Sequence, residues 1–142
     1  MTPTNAKFVA TTSAWVHSSK ARMLAWVRTS LQDLDREIAL PVARGGNMPV
    51  VTGNLRRSRL ASTDSMPRAG GREFKADPGA QVTGVIASMQ IGQRFFYGFQ
   101  AVYARRVEEV RGFLRLAVQR FPEIAAAAAR KVQSRVTGRN RP

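Results

Sequence analysis

The sequence predicts an α+β protein, in which helices pack on one small antiparallel sheet. Three observations predict this class. Apolar residues recur at three- and four-residue steps over the first 40 residues, alternate with polar ones between about residues 55 and 104, and return to helical spacing from Gly112. With 142 residues, of which 44% are hydrophobic, we expect a single domain over residues 1–142 with one core.

The first predicted element is a long helix over about residues 6–40. Pro41 ends it, because proline disfavours helical geometry in the residue before it. A loop rich in glycine and proline follows over residues 41–54. The apolar stripe of the helix consists of Met23, Val27, Leu31 (or Ser30 in its place), Leu34 and Ile38, and Phe8, Trp15 and Val16 extend it upstream.

Strands are expected over about residues 55–104, with a first strand at Leu55–Thr63 and a long loop at 64–80. Two further strands are joined around Gly92 and Gln93 as a hairpin. A loop of this length inside a compact domain is typical of functional or mobile segments. The alternating residues are Thr83, Val85, Ala87, Met89 and Ile91 in one strand and Phe95, Tyr97, Phe99, Ala101 and Tyr103 in the next.

The last predicted element is a C-terminal helical region over residues 112–136. Phe113 and Leu114 stand at its start, and we expect them to anchor the helix on the sheet. Pro122 marks a restart of the helix, with Glu123 favourable in the first turn.

The composition argues against catalysis, cofactors and metals. The chain has no cysteine and one histidine, His17, which excludes disulfides, thiolate nucleophiles and sites with several histidines. The nine acidic residues are scattered, and no phosphate-binding loop or nucleophile motif is present. No apolar run is long enough for a membrane span and the N-terminus lacks a signal peptide pattern, so we expect a soluble cytosolic protein without a membrane partner.

The charge is the informative feature. Lys and Arg number 23 against nine Asp and Glu, a net charge of +14, and arginine predominates. This excess is compatible with a solvated face, with contacts to nucleic-acid phosphates, or with docking on acidic surfaces of other proteins. No DNA-reading motif is present, and the aromatic run around Phe95 is more typical of a core than of a base-stacking platform. The arginines cluster at Arg56, Arg57 and Arg59 and at Arg105, Arg106, Arg111, Arg115 and Arg120.

Three short segments, taken in order, resemble one protein family. Residues 48–58 (MPVVTGNLRRS) resemble a Pro-Val-Asp-Thr-Gly-Asn-Leu-Arg-x-Ser signature. Residues 103–108 (YARRVE) resemble a Tyr-Ala-x-x-Val-Glu element. Residues 112–118 (GFLRLAV) resemble a Pro-Phe-Leu-Arg-Pro-Ala-Leu element. The signature and the two elements are characteristic of a head–tail joining and tail-completion family of long-tailed bacteriophages. Members of this family include neck, tail terminator and minor tail components. Val51 replaces the usual aspartate, and Gly112 and Leu116 replace two prolines. The matching motif residues are Thr52, Gly53, Asn54, Leu55 and Arg56, then Tyr103, Ala104, Val107 and Glu108.

The resemblance implies a structural virion protein located at the tail or neck and assembled in the cytoplasm of the host bacterium. It would form a homo-oligomeric ring, with a hexamer expected, between the connector or stopper protein and the major tail tube protein. The sheet edges and the loops at 41–54 and 64–80 are the expected contacts between subunits. A tail terminator and a neck or completion protein remain alternatives, as do an infectious phage, a prophage and a gene transfer agent. The residues expected to face the DNA channel or the rims of adjacent rings are Arg56, Arg57, Arg59, Arg105, Arg106 and Arg111.

The competing interpretation is a small basic nucleic-acid-binding protein. It predicts tight, salt-sensitive binding of nucleic acid by the isolated chain. A joining protein predicts weak binding and ring formation instead.

Overall fold

The computed structural model describes residues 3–139 and confirms the α+β class and the long first helix. The chain begins with α1, Pro3–Ala39, and a 3-10 turn at Val42–Arg44. The middle of the chain contains α2 (Asn54–Arg57), β1 (Arg59–Ser62), α3 (Gly79–Ser88) and β2 (Phe96–Phe99). The last helices are α4 (Ala104–Arg111), α5 (Phe113–Gln119) and α6 (Phe121–Arg139).

The sheet consists of β1 and β2, paired antiparallel with Arg59 opposite Phe99. Its outer edges are partly occupied. The Gln81 side chain donates to the carbonyl of Ala61 (2.7 Å) and accepts from the Ala61 amide (3.1 Å), in place of a neighbouring strand. On the other side, the Gly70 amide donates to the Gln100 carbonyl at 2.9 Å. The long loop predicted at 64–80 is present over residues 63–78 and is held to the sheet by this bond.

The strand predicted over residues 83–91 is wrong, because α3 occupies Gly79–Ser88 and no hairpin forms around Gly92. The buried residues Val82, Ile86 and Met89 stand four and three positions apart, which is helical spacing. The same segment also shows two-residue alternation, and its β-branched residues favour strands. Tertiary packing decided in favour of the helix, since one helical face meets β1 and α1.

The other strand boundaries also change. Leu55 lies in α2 rather than in the predicted first strand, which begins at Arg59. The third predicted strand, Phe95 to Tyr103, is regular only over Phe96–Phe99, and Tyr103 instead occupies the N-cap position of α4. Helix α4 was not predicted, since its sequence ARRVEEVR offers only three apolar residues, Ala104, Val107 and Val110.

The core lies where α1, α5 and the sheet meet. Ile38, Met48, Leu55 and Phe113 are buried there. Phe113 of α5 contacts Phe99 of β2 edge-to-face, with ring centroids 5.1 Å apart. The C-terminal helical region therefore packs on the sheet through α5, at the position predicted from its apolar start.

Helix α6 lies antiparallel along the second half of α1. Pro122 and Glu123 occupy its first turn, as predicted. Arg120, just before α6, bonds to Glu37 near the end of α1 (2.7 Å), and the Trp26 indole donates to the Ala125 carbonyl (2.8 Å). Residues 5–18 of α1 are exposed on every side and extend beyond this pair.

Candidate functional site

The first two segments that carry the resemblance meet at one groove on the surface. The turn and helix at residues 51–55 form one wall and α4 forms the other. The groove has a volume of about 370 Å³. The residues of α4 and its cap that line it are Tyr103, Arg106, Val107, Val110 and Arg111.

Asn54 holds the two walls together. Its Nδ2 donates to the Tyr103 hydroxyl and to the Arg72 carbonyl, each at 2.6 Å. Its Oδ1 accepts from the Phe74 amide at 2.7 Å. The Asn54 side chain thus joins three parts of the chain: the segment at residues 52–58, the long loop and the start of α4. Asp, Ser or Ala at this position could not make the same hydrogen bonds, because only an amide provides two N–H donors and an acceptor.

Gly53 forms the turn that aims Asn54. Its φ is +79°, in the left-handed region that glycine adopts without strain. A Cβ at this position would lie 2.7 Å from Nη1 of Arg57. The Thr52 hydroxyl accepts from the Asn54 amide at 3.3 Å and completes the turn. The turn expected from Thr52, Gly53 and Asn54 is therefore present, but it leads into α2 before the strand begins.

Glu108 links α4 to the third segment. Its carboxylate accepts from the backbone amides of Leu114 (2.8 Å) and Arg115 (3.0 Å), at the start of α5. These amides have no partner inside the helix, and a negative charge there is favoured by the helix dipole. Gly112 makes the sharp turn between the two helices with a φ of +61°. Glu108 therefore positions Phe113, which is buried, and Leu114, which is half-buried.

The groove is apolar inside and basic at its rim. Leu55 and Val107 lie at its base, while Val51 is 97% exposed and Val110 76% exposed on its two walls. Arg106 and Arg111 stand at the rim and are exposed. Within residues 3–139, neither arginine forms a salt bridge.

The first arginine cluster is largely used inside the fold. Arg56 donates from Nε to the Ala39 carbonyl at the end of α1 (2.8 Å), and Arg57 donates from Nε to the Phe74 carbonyl (2.6 Å). Arg59 is buried, and Arg57 is half-buried with a further bond from Nη1 to the Thr52 carbonyl at 3.2 Å. Neither side chain is free to face DNA or a neighbouring ring, so both leave the expected set. Arg56 and the second cluster are exposed, and within that cluster Arg105 forms a loose ion pair with Glu109 at 3.4 Å.

Arg59 belongs to a buried polar network with Asp35 and Tyr97. Its Nε donates to Oδ1 of Asp35 at 2.9 Å, and the Tyr97 hydroxyl donates to the same oxygen at 2.6 Å. Burial raises the pKa of Tyr97, and the adjacent Asp35 carboxylate raises it further. Tyr97 therefore stays protonated and acts as a donor that links α1 to the sheet.

Other classes of site find no support in the described residues. Among residues 3–139, no group of three or more His, Cys, Asp or Glu side chains is arranged to hold a metal ion. No helix in this part of the chain is both long and apolar enough to cross a membrane.

Sequence reasoning missed Val110, because α4 itself was not predicted, and it missed the roles of Asp35 and Tyr97, which are 62 residues apart. The bond from Arg57 to the long loop also had no signal in the sequence. No protein-family model, curated protein or solved structure matches the chain.

Proposed function

We propose that this protein is a structural virion protein that forms a ring at the junction between the head and tail of a long-tailed bacteriophage. One observation carries the proposal. Segments about 50 residues apart that resemble the joining family meet at one groove, bound to each other through Asn54 and Tyr103. Glu108 ties the third segment to the same place. A chance resemblance of three short segments would not require their residues to contact one another.

The groove is the proposed contact between subunits, and its occupant is a second copy of this chain. Fully exposed valines on the walls of an apolar groove, such as Val51, are stabilised when a partner covers them. The sheet edges are less suited to this role than the sequence suggested, since Gln81 occupies one and the long loop the other. A groove that meets a different surface of the next copy gives a heterologous contact, which forms a ring when the rotation between copies divides a full turn evenly.

In this proposal the ring stacks between the connector or stopper protein and the tail tube protein, and DNA passes through its centre. Arg106 and Arg111 at the groove rim, with Arg56 and Arg105, remain the residues expected to face the channel or adjacent rings. The exposed positive charge supports such contacts, since nucleic acid and acidic protein rims both attract arginine. The roles of tail terminator and of neck or completion protein both fit this geometry.

Electron microscopy of particles produced with and without the gene tests the proposal. We expect DNA-filled heads separated from tails when the gene is deleted, and restored particles when the protein is supplied in trans. Tails of uncontrolled length would assign the terminator role, whereas normal-length free tails would assign completion. Normal tailed particles without the gene would overturn the proposal.

A small basic nucleic-acid-binding protein is the second candidate function. The observation in its favour is that α6 carries Arg130, Lys131 and Arg135 and has no acidic residue after Glu123. Tight binding of nucleic acid by a monomer, together with normal particles in the deletion, would favour this candidate over the ring.

A further inference from the structure

The positive charge of this protein is unevenly divided along the chain. All nine acidic residues lie between Asp33 and Glu123. The 32 residues before and the 19 residues after this stretch contain nine Lys and Arg and no acid. The central stretch has a net charge of only +5, so the two ends hold +9 of the total of +14.

The fold brings the second half of the first segment beside the last helix. Because α6 runs antiparallel along α1, the C-terminal part of α6 lies beside the middle of α1, and Arg22 and Arg135 line one cleft between the helices. We name residues 5–32 of α1 with residues 124–138 of α6 the basic arm. At 1.5 Å per residue, the α1 part of the basic arm is about 40 Å long.

The charges of the basic arm are almost entirely uncompensated. In the described residues, Lys131 is its single cation in a salt bridge, at 2.8 Å from Asp33. The others, Lys7, Lys20, Arg22, Arg28, Arg130 and Arg135, form no ion pair within residues 3–139.

A cleft at the base of the basic arm gathers four cations around one carboxylate, and two of them, Arg36 and Lys131, already pair with Asp33 at 3.0 and 2.8 Å. It has a volume of about 330 Å³ and is lined by Arg28, Arg36, Lys131 and Arg135 around Asp33. Arg28 donates from Nη2 to the Met89 carbonyl at 2.7 Å, but its buried Nε has no hydrogen-bond partner among the described residues. Within residues 3–139, Arg28 and Arg135 are the cations of this cleft that form no ion pair, and a guanidinium without a counter-charge favours a phosphate oxygen as its partner.

We propose that the basic arm binds the phosphate backbone of nucleic acid. A surface about 40 Å long that carries cations and no acidic residue along its length matches a polymer with a negative charge about every 1.7 Å along its axis better than it matches a small anion. A second copy of the chain is a poor occupant, since the rest of its surface is itself positive. This inference deepens the proposed function and rests on it for one point, that the polymer is DNA. The uneven distribution of charge along the sequence does not depend on a ring.

Fluorescence anisotropy with a labelled DNA duplex and the full chain tests the proposal. We expect the affinity to fall with salt, with a log–log slope of magnitude about 4 to 6 for that number of neutralised phosphates. The triple variant Arg22→Gln, Arg130→Gln, Arg135→Gln should bind at least tenfold more weakly near 50 mM salt and lower the slope by about 2 to 3. All three side chains are exposed, so the variant should fold as the wild type does.

The matched control is Arg68→Gln, Arg72→Gln, Arg94→Gln. It removes the same three charges from exposed positions outside the basic arm. We expect its affinity to fall less than about threefold, because only diffuse attraction is reduced. An equal loss in both variants would overturn the proposal, as would absence of DNA binding by the wild type at low salt.

Anionic phospholipid vesicles separate this proposal from membrane attachment. Cosedimentation with vesicles in the absence of DNA binding would overturn it. The particle experiment is independent of both assays. Separated heads and tails in the deletion, without DNA binding that depends on the basic arm, would support the joining role and overturn this inference. DNA binding that depends on the basic arm, with normal particles in the deletion, would support this inference and overturn the joining role.

Discussion

Asp35 is the residue that ties the long helix to both strands. Its carboxylate accepts from Arg59 of β1 and from Tyr97 of β2, and Arg59 is only 7% exposed. Replacing Asp35 by Asn leaves the buried guanidinium without its counter-charge. We expect a loss of about 3 kcal/mol in the free energy of unfolding, measured by urea denaturation.

The control for this prediction is Asp77→Asn. Asp77 lies 3.8 Å from the same guanidinium, but its side chain is 81% exposed. Its loss should change the free energy of unfolding by less than about 0.5 kcal/mol. Equal effects of the two substitutions would show that the buried network does not stabilise the fold.

Tyr97 should make the stability of the fold depend on alkaline pH. Its ordinary pKa is 10.0, and burial raises it in the folded chain. Below about pH 10 the Tyr97 hydroxyl keeps its proton in both the folded and the unfolded chain, so its contribution to the free energy of unfolding is constant. Above it the unfolded chain releases the proton first, and stability falls by up to about 1.4 kcal/mol per pH unit.

The variant Tyr97→Phe isolates this effect from other titrations. The wild type should be more stable than the variant at pH 8, and this advantage should shrink as the pH rises from 10 to 11. Urea denaturation of both proteins across this range measures it. A difference that stays constant with pH would contradict the prediction.

Single-residue features were predictable where they are local. The turn at Gly53 followed from the sequence Thr-Gly-Asn, because glycine accommodates a positive φ. The bonds of Asp35 and the bond between Asn54 and Tyr103 were not predictable, since they join positions 24 to 62 residues apart. Their geometry depends on how the elements pack, which no local pattern contains.

At the level of elements, α5 depends on a residue outside itself. Gly112 precedes it and has no side chain to cap the helix, so Glu108 supplies the two hydrogen bonds instead. Glu108→Ala should lower the free energy of unfolding by about 1 kcal/mol, the usual loss for an N-terminal cap. Thermal or urea denaturation measures the change.

Glu109→Ala is the matched control for the cap. Glu109 is adjacent in sequence, but it is exposed, and among residues 3–139 its single ion pair is with Arg105 at 3.4 Å. We expect a change below about 0.5 kcal/mol. Similar losses for both variants would mean that the hydrogen bonds from Leu114 and Arg115 to Glu108 contribute little.

The helices differ in how clearly their sequence patterns predict secondary structure. Helix α1 was predicted nearly to its ends, because a long apolar stripe and Pro41 both mark it. Helix α3 was predicted as a strand, since ten residues rich in valine and isoleucine fit both periods. Its true face, Val82 with Ile86 and Met89, is set by contacts with α1 and β1 that are distant in sequence.

At the scale of the whole molecule, positive charge without any acidic residue is confined to the two outer parts of the sequence. The basic arm carries seven cations and no acidic residue, which is half of the net charge of +14, whereas the groove exposes the valines Val51 and Val110. The sequence clusters of arginine did not indicate this division, because Arg56 and Arg57 bond to the backbone and Arg59 is buried. The absence of acidic residues from both chain ends was the available signal, and it becomes a surface only when α6 folds back along α1.

The ring itself gives the last prediction. If a second copy covers the groove, the double variant Val51→Asp, Val110→Asp should lower the mass in solution from ring to monomer, because burying two new carboxylates in an apolar contact is costly. Both side chains are exposed in the subunit, so the stability of the monomer should change little. Size-exclusion chromatography with light scattering measures the mass.

Val42→Asp with Met66→Asp is the control, since these residues are 57% and 59% exposed but lie outside the groove. A ring that survives the groove variant, or one that the control disrupts equally, would exclude the groove as the subunit contact.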